Sequence, residues 1–518
     1  MSAATHPLGV ETAGRSERAA SWWPLVALTV VAALMRLPTL GLQSFWYDEA
    51  FTPVHVLHPS LWATLRSVAH TENTPPLWYV LAWADSRVLG TGAVALRLPS
   101  ALAGIATVPV AWAIGRELSG RRAALVCAAL VAVNPLFVWY SQEARAYSLF
   151  VLTSALAMLC FLRAEREPTP GRMAAFALTG SLALLSHYFA VFLLIPMVLW
   201  LLAHPRLRRA SVPAVAALVI VGAALVALIA AQGGHGTQWI GSWPLSERLE
   251  AIPQYYLLGT SGAPLGHGVE LLVALPILLG IGLGLSIVLE GPRAPARPAD
   301  ADGGERDPAR GALLAALITA GGVLIPLVLV AFGADYLAPR NLVGAMIPLT
   351  ALIAVLVTMP GIGRAGALVA GAIFAAFLLV SVDVNLSPRL QRGNWKGVAK
   401  ALSGGPHARA ITTVELGSAP LEYYIPGLVN LPPHTTTAVT EIDETGYAPL
   451  RASAGEIPAP GFHLRARLNV DGLIVYRFVS STPGVLSEAT LRRHVITLAH
   501  PEVLVPAGTR APASPGHA

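Results

Sequence analysis

Apolar runs of about 20 residues recur from Trp22 to Asp383, each long enough to cross the hydrocarbon core of a bilayer as a helix. A helix also satisfies its own backbone polar groups, which a membrane interior demands. Composition agrees: of 518 residues, 54% are hydrophobic and 12% charged, and mean hydropathy is +0.60. Soluble domains carry about 25% charged residues. The chain is therefore expected to be an α-helical polytopic membrane protein. A window of about 20 residues, combined with the placement of arginine, gives eleven expected spans. They lie near 21–40, 95–115, 122–140, up to 161, 173–186, 188–203, up to 231, 269–289, 311–332, 341–359 and up to 382. Residues 1–20 are expected to form a cytoplasmic tail. No small-residue cleavage site follows the first apolar run, so it is expected to be a retained span, not a signal peptide.

Arginine sets the orientation. Formal net charge is +6, the only lysines are Lys396 and Lys400, and the arginines gather at the ends of apolar runs. The turns at 116–122, 163–172 and 204–209 are assigned to the inner face, together with a Pro/Arg/Asp/Gly-rich linker, 291–310, expected to be disordered. This dispersed charge does not suit nucleic-acid binding. A long first outer loop, 41–94, holds an amphipathic segment at 59–70 and an apolar piece at 76–90. That piece is expected to be an interfacial or re-entrant helix, with Trp62, Trp78, Tyr79 and Trp83 at headgroup depth. If it spanned fully, the 116–122 turn would move outside and break the pattern. A membrane domain over 21–383 is thus followed by residues 384–518, where strand-like stretches (410–416, 473–479) alternate with helix-like ones. The helices at 419–425 and from 487 onward are expected to be capped by Ser418 and Ser487. An odd number of spans puts this small α/β domain outside. Cys127 and Cys160 lie in apolar runs and build neither a disulfide framework nor a cysteine metal site.

Every unusual polar cluster then falls on the outer face: Asp48 and Glu49 behind Tyr47, His70 with Glu72 and Asn73, Gln142-Glu143 with Arg145 and Tyr147, His187-Tyr188, and Tyr336 with Arg340. Acids at a membrane boundary are costly unless they pair, bind a metal or handle protons. An outward carboxylate near arginine suits a reaction in which an acceptor hydroxyl loses a proton and an anionic group departs.

The segments Trp46-Tyr-Asp-Glu-Ala50, His70…Asn73-Thr-Pro-Pro-Leu-Trp-Tyr79, Ala95-Leu-Arg-Leu-Pro-Ser-Ala101 and Trp139-Tyr-Ser-Gln-Glu-Ala-Arg-Ala-Tyr147 resemble the bacterial GT-C glycosyltransferases. More narrowly they are similar to the family 39, protein-mannosyltransferase-like group that includes aminoarabinose transferases. Tyr336-Leu-Ala-Pro-Arg340 and Asn394-Trp395-Lys396 match further landmarks. The resemblance covers roughly residues 20–425. It implies many transmembrane helices, a first outer loop holding the catalytic acid, a polyprenyl-phosphate sugar donor, and a bacterial plasma-membrane location with the site extracytoplasmic. Carried over, Asp48 is the catalytic base or orients the acceptor, with Glu49 beside it, while His70 and Asn73 lie near donor-phosphate contacts. Where some relatives carry a lysine this chain does not, so phosphate binding shifts to Arg145 or Arg340, whose planar fork grips two oxygens.

Plainer readings stand beside these. Asp48-Glu49 could be membrane-exit charges, Glu143 and Arg145 could neutralise each other, His187-Tyr188 could be an interfacial turn, and Arg340 could snorkel. His70, Glu72 and Asp48 could instead ligate a divalent metal such as magnesium or manganese. Expected partners are the lipid-linked donor, membrane lipids and an extracytoplasmic acceptor that is protein, lipid or cell-wall glycan. A transporter or flippase of a lipid-linked glycan is the alternative function. It should carry internal repeats and broken helices, and no convincing repeat is seen. A structural protein binding a partner through its outer domain is a third.

Overall fold

The computed structural model describes residues 10–234, 236–259, 265–290, 307–497 and 500–508, with side chains from Trp22 onward. Residues 1–9 of the expected tail and 291–306 of the expected linker lie outside that set. The chain forms two compact units. One comprises residues up to Leu40, Val68–Gly90 and Val94–Asn385; the other comprises Gly41–Ser67, Thr91–Ala93 and the chain from Leu386.

The first unit is helical. By length and composition seven described helices can cross a membrane: Ala93–Ser119, Tyr147–Arg166, Pro205–Gln232, His267–Glu290, Pro308–Ala331, Pro339–Val357 and Arg364–Leu386. An eighth is made by Arg121–Val133 and Pro135–Ser141 if that pair, bent by 53°, counts as one. The remaining three expected spans coincide with shorter helices, Trp22–Arg36, Pro170–Ser186 and Ala190–Ala203. On His267–Glu290 the side chains of Leu271, Leu272, Leu275 and Leu278 are 64–69% exposed, as a helix facing lipid requires. Tyr147–Arg166, by contrast, is largely enclosed. Leu77–Leu89 forms a 13-residue helix, about 20 Å long and too short to span. Trp78 and Tyr79, expected at headgroup depth, are each 1% exposed. They are interior residues of this unit, while Trp62 stands out at 69%.

The bend at Asn134-Pro135 has a complete chemical account. Pro135 has no N–H, and the N–H groups of Leu136 and Phe137 turn to the Asn134 side chain, 3.0 and 3.3 Å away. The carbonyls of Val131, Ala132 and Val133 thereby lose their helical donors. Arg36, fully buried, donates to Ala132 O at 2.7 Å and Val131 O at 3.2 Å. Ser381 donates to Val133 O at 2.7 Å. Arg36 also donates to Ser141 Oγ at 3.1 Å. A Cβ on Gly104 would fall 2.0 Å from that same oxygen, so the close approach requires glycine.

The second unit carries a six-stranded sheet: β1 (Arg409–Val414), β2 (Leu428–Asn430), β3 (Thr436–Tyr447), β4 (His463–Val470), β5 (Leu473–Ser487) and β6 (Pro501–Pro506), in the order β2-β6-β1-β3-β5-β4. Only β1 and β3 pair in parallel; the other ladders are antiparallel. The sheet is thus mixed, with the two stretches expected as strands at its β1 and β5 positions. Trp395–Leu402 is capped by Asn394, which accepts from Gly397 N at 2.8 Å. Trp395, Val398 and Leu402 pack on Ile411, Leu421 and Val475. Ser487 caps Glu488–Arg493 as expected, through Thr490 N at 3.1 Å. Ser418 is not a cap: the helix begins earlier, at Glu415, and runs to Tyr424.

Candidate active site

Asp48 belongs to the second unit. The backbone arrives extended at Trp46 (φ −102°, ψ 178°) and enters a five-residue helix, Tyr47–Phe51, with Asp48 and Glu49 in its first turn. Acids there face the positive end of the peptide dipoles. Pro53 cannot donate to the Glu49 carbonyl, and the chain widens into a π turn, Thr52–Val56, closed by Leu57 N to Thr52 O at 2.9 Å. The two carboxylates differ in setting: Glu49 is fully buried, Asp48 half-buried. Phe45, also buried, donates its N–H to Tyr424 Oη at 2.8 Å, and its ring lies 5.0 Å from the Tyr423 ring at a 60° tilt. Ser44 donates to Gly393 O at 2.7 Å and accepts from Trp395 N at 3.1 Å. Beyond the helix, His55 Nε2 meets Glu422 Oε2 at 2.8 Å. The acid-bearing segment is therefore stitched to the sheet-bearing part of its unit on both sides of Asp48.

The helical unit gathers a second set. Arg145 forms a forked ion pair with Glu72, at 3.1 and 3.4 Å, and its guanidinium lies 5.9 Å from the Tyr79 ring centre. The Tyr79 hydroxyl bonds Thr74 Oγ1 at 3.1 Å. Burial pushes that hydroxyl well above its ordinary range, opposed by the charge of Arg145 and reinforced by Glu72. His187, at the turn after Pro170–Ser186, is buried and stacks on Phe150 at 4.7 Å. Its Nδ1 accepts from Phe189 N at 3.2 Å, so the ring is neutral with its proton on Nε2. Burial disfavours a second proton, as do the fields of Arg340 and Arg145. Both arginines therefore act on one imidazole. The Tyr140 ring lies 4.7 Å from that of Tyr147. The Arg340 guanidinium stands 4.7 Å from the Trp239 ring centre.

Within the helical unit His187 thus lies 6.0 Å from the Tyr147 ring and in the fields of Arg145 and Arg340, and Glu143 is buried. Others have different placements. Gln142 donates to Met35 O at 2.9 Å, holding the end of the first helix. Tyr188 bonds Gln232 Oε1 at 2.7 Å. His70 is exposed at the end of Leu61–Thr71, Asn73 is half-buried, and Tyr336 is 48% exposed. Among the described residues there is no group of three or more His, Cys, Asp or Glu side chains placed to share a metal ion. Glu72, offered for that role, is engaged by Arg145.

Several residues had no role in the sequence reading. Gln232, 2% exposed, donates to Val68 O and Thr74 O at 3.2 and 2.9 Å and so fixes the chain leading to Tyr79. Arg248 makes a forked pair with Asp335 at 2.6 and 2.8 Å and donates to Leu337 O at 2.9 Å, bracing the approach to Arg340. The Arg248 hydrogen bonds hold the Asp335 carboxyl below its usual range. Gln232 stands at the very end of its apolar run, where a polar residue draws no notice.

Residues 73–231 match the model of the dolichyl-phosphate-mannose-protein mannosyltransferase family. No curated protein matches the sequence. Among solved structures the chain is similar to ArnT from Cupriavidus metallidurans in the apo state, with TM-score 0.54 and 12% identity over 89% of this chain and 98% of that one. It is also similar to ArnT from the same organism bound to undecaprenyl phosphate, with TM-score 0.52 and 11% identity over 87% and 97%. The archaeal oligosaccharyltransferase AglB from Archaeoglobus fulgidus, in complex with an inhibitory peptide and a dolichol-phosphate, gives 0.43 and 14% over 75% and 58%. The likeness to ArnT is one of fold. The chain has the GT-C architecture, and its residues 73–231 are protein-mannosyltransferase-like.

Proposed function

We propose that this GT-C-fold membrane protein is a glycosyltransferase that moves a sugar from a polyprenyl-phosphate donor to an acceptor hydroxyl outside the cytoplasm, with Asp48 as the base. The observation that carries the reading is that the charges of Arg145 and Arg340 both act on the neutral imidazole of His187; Arg145 and His187 lie inside the segment that matches a lipid-phosphate-sugar transferase family, and Arg340 lies beyond it. The ArnT relative bound to undecaprenyl phosphate supports the donor class. In the proposed step the acceptor oxygen attacks the anomeric carbon while its proton passes to the Asp48 carboxylate. The bond from that carbon to the phosphate oxygen breaks, and its electron pair leaves on the polyprenyl phosphate. Arg145 and Arg340 neutralise the departing charge. Because the leaving group is already a weakly basic phosphate, charge stabilisation matters more than a strong acid. Glu72 keeps the Arg145 fork aligned before donor binds.

A transporter would share one feature, the broken helix at Asn134-Pro135. Here the freed carbonyls are satisfied by Arg36 and Ser381, the pattern of a structural bend. The test is transfer from radiolabelled polyprenyl-phosphate sugars by the purified chain and its Asp48→Asn variant. Lost transfer with donor binding retained supports the reading; unchanged transfer overturns it.

A further inference from the structure

A five-residue helix followed by a five-residue π turn has no means of holding its own direction. Isolated helices shorter than about 12–15 residues are marginal in water, and Tyr47–Val56 falls below that. Whatever orients Asp48 must come from the elements packed against this segment. In its own unit the helix Glu415–Tyr424 meets it on both sides of the acid. Before Asp48, the Phe45 N–H ends on the Tyr424 hydroxyl at 2.8 Å. After it, His55 Nε2 ends on Glu422 Oε2, also at 2.8 Å. Phe45 has no exposed surface, and the Glu422 side chain is 8% exposed. The His55 side chain is 37% exposed, so the Phe45–Tyr424 anchor is the better shielded from competing water and is worth more than a surface contact.

Resting on the proposed function, we infer that Glu422 and Tyr424 are positioning residues for Asp48, acting within the unit that carries all three. Neither residue handles the proton. They fix the two ends of the segment that carries the carboxylate, and a carboxylate displaced by about 1 Å can lose on the order of 100-fold in rate.

Three variants separate this role from simple stability. Tyr424→Phe keeps the ring and removes only the oxygen that receives the Phe45 N–H. Glu422→Ala removes the His55 partner, while Glu422→Gln keeps the length of the side chain and a carbonyl oxygen there and removes only the charge. In the full chain, hydrogen exchange of amides 46–57 is expected to rise in Tyr424→Phe and Glu422→Ala, with β1, β3 and β5 unchanged. The turnover rate is expected to fall about 10- to 100-fold with donor KM unaltered, and Glu422→Gln to stay within about threefold of the parent. Unchanged exchange at 46–57 would overturn the inference, as would raised exchange with normal turnover. If Asp48→Asn itself turns over normally, the proposed function fails, and the assigned positioning role fails with it. Loss in Asp48→Asn alongside normal turnover in Tyr424→Phe and Glu422→Ala defeats only the inference.

Discussion

Arg145 is the residue whose chemistry is best defined by its surroundings. It is 8% exposed and shares two hydrogen bonds with a Glu72 that is 4% exposed. Removing one member of such a pair strands a buried charge, which costs about 3–5 kcal/mol. Arg145→Ala is therefore expected to lower the thermal midpoint in detergent, and Arg145→Ala/Glu72→Gln to recover part of the loss. A midpoint for the double variant no higher than for the single one would contradict the pairing. The sequence made Arg145 a candidate but offered Glu143 as its neutralising neighbour. An ion pair with Glu72, 73 positions earlier, is seen, and no local spacing encodes a contact that the fold alone creates. Asp48 was legible because acids between aromatics at the end of an apolar run are rare and costly. Tyr424 and Glu422 were not legible, since a tyrosine and a glutamate on a short helix have many ordinary uses.

At the scale of elements, the broken span and the sheet each make a distinct expectation. Arg36 satisfies two carbonyls and Ser381 one, all buried. A stranded buried polar group costs about 1–3 kcal/mol, so Arg36→Met is expected to destabilise more than Ser381→Ala. Thermal denaturation of the two variants in the same detergent checks the ranking, and an equal effect would contradict it. In the sheet, burial raises the Glu444 carboxyl to about 8. Its unfolded value is near 4.3, so the folded state keeps a proton that the unfolded state has released. Stability from this group is full below the unfolded value, falls as pH climbs toward 8, and is flat above it. Glu444→Gln should remove that slope, a difference on the order of a few kcal/mol, visible as a melting advantage over the parent that grows from pH 5 to 8. A constant difference across that range would contradict it. The same acids explain why β3 escaped notice. Glu441, Asp443 and Glu444 interrupt its pattern, and acids are depleted in strands. Here Arg477 donates to Asp443 at 2.7 Å and lies 3.7 Å from Glu441, which lets them stay inside. The apolar helices were legible because a bilayer imposes one simple length rule; the mixed sheet obeys no comparable rule.

For the whole molecule, the grouping of Gly41–Ser67 with the chain from Leu386 is the least anticipated result. Hydropathy divides the sequence at the end of its last apolar helix, while packing assigns the acid-bearing loop to the part that follows. Of the candidate residues, Arg145 and Arg340 belong to the helical unit and Asp48 to the other. Chemical transfer is measured most directly by following the label of a polyprenyl-phosphate sugar incubated with the reconstituted chain and cell-envelope acceptor. The expected result is that label leaves the lipid and becomes covalently bound to acceptor with the wild type, and remains on the lipid with Asp48→Asn. Label that stays on the lipid with the wild type but crosses the bilayer would contradict the claim and mark the protein as a flippase.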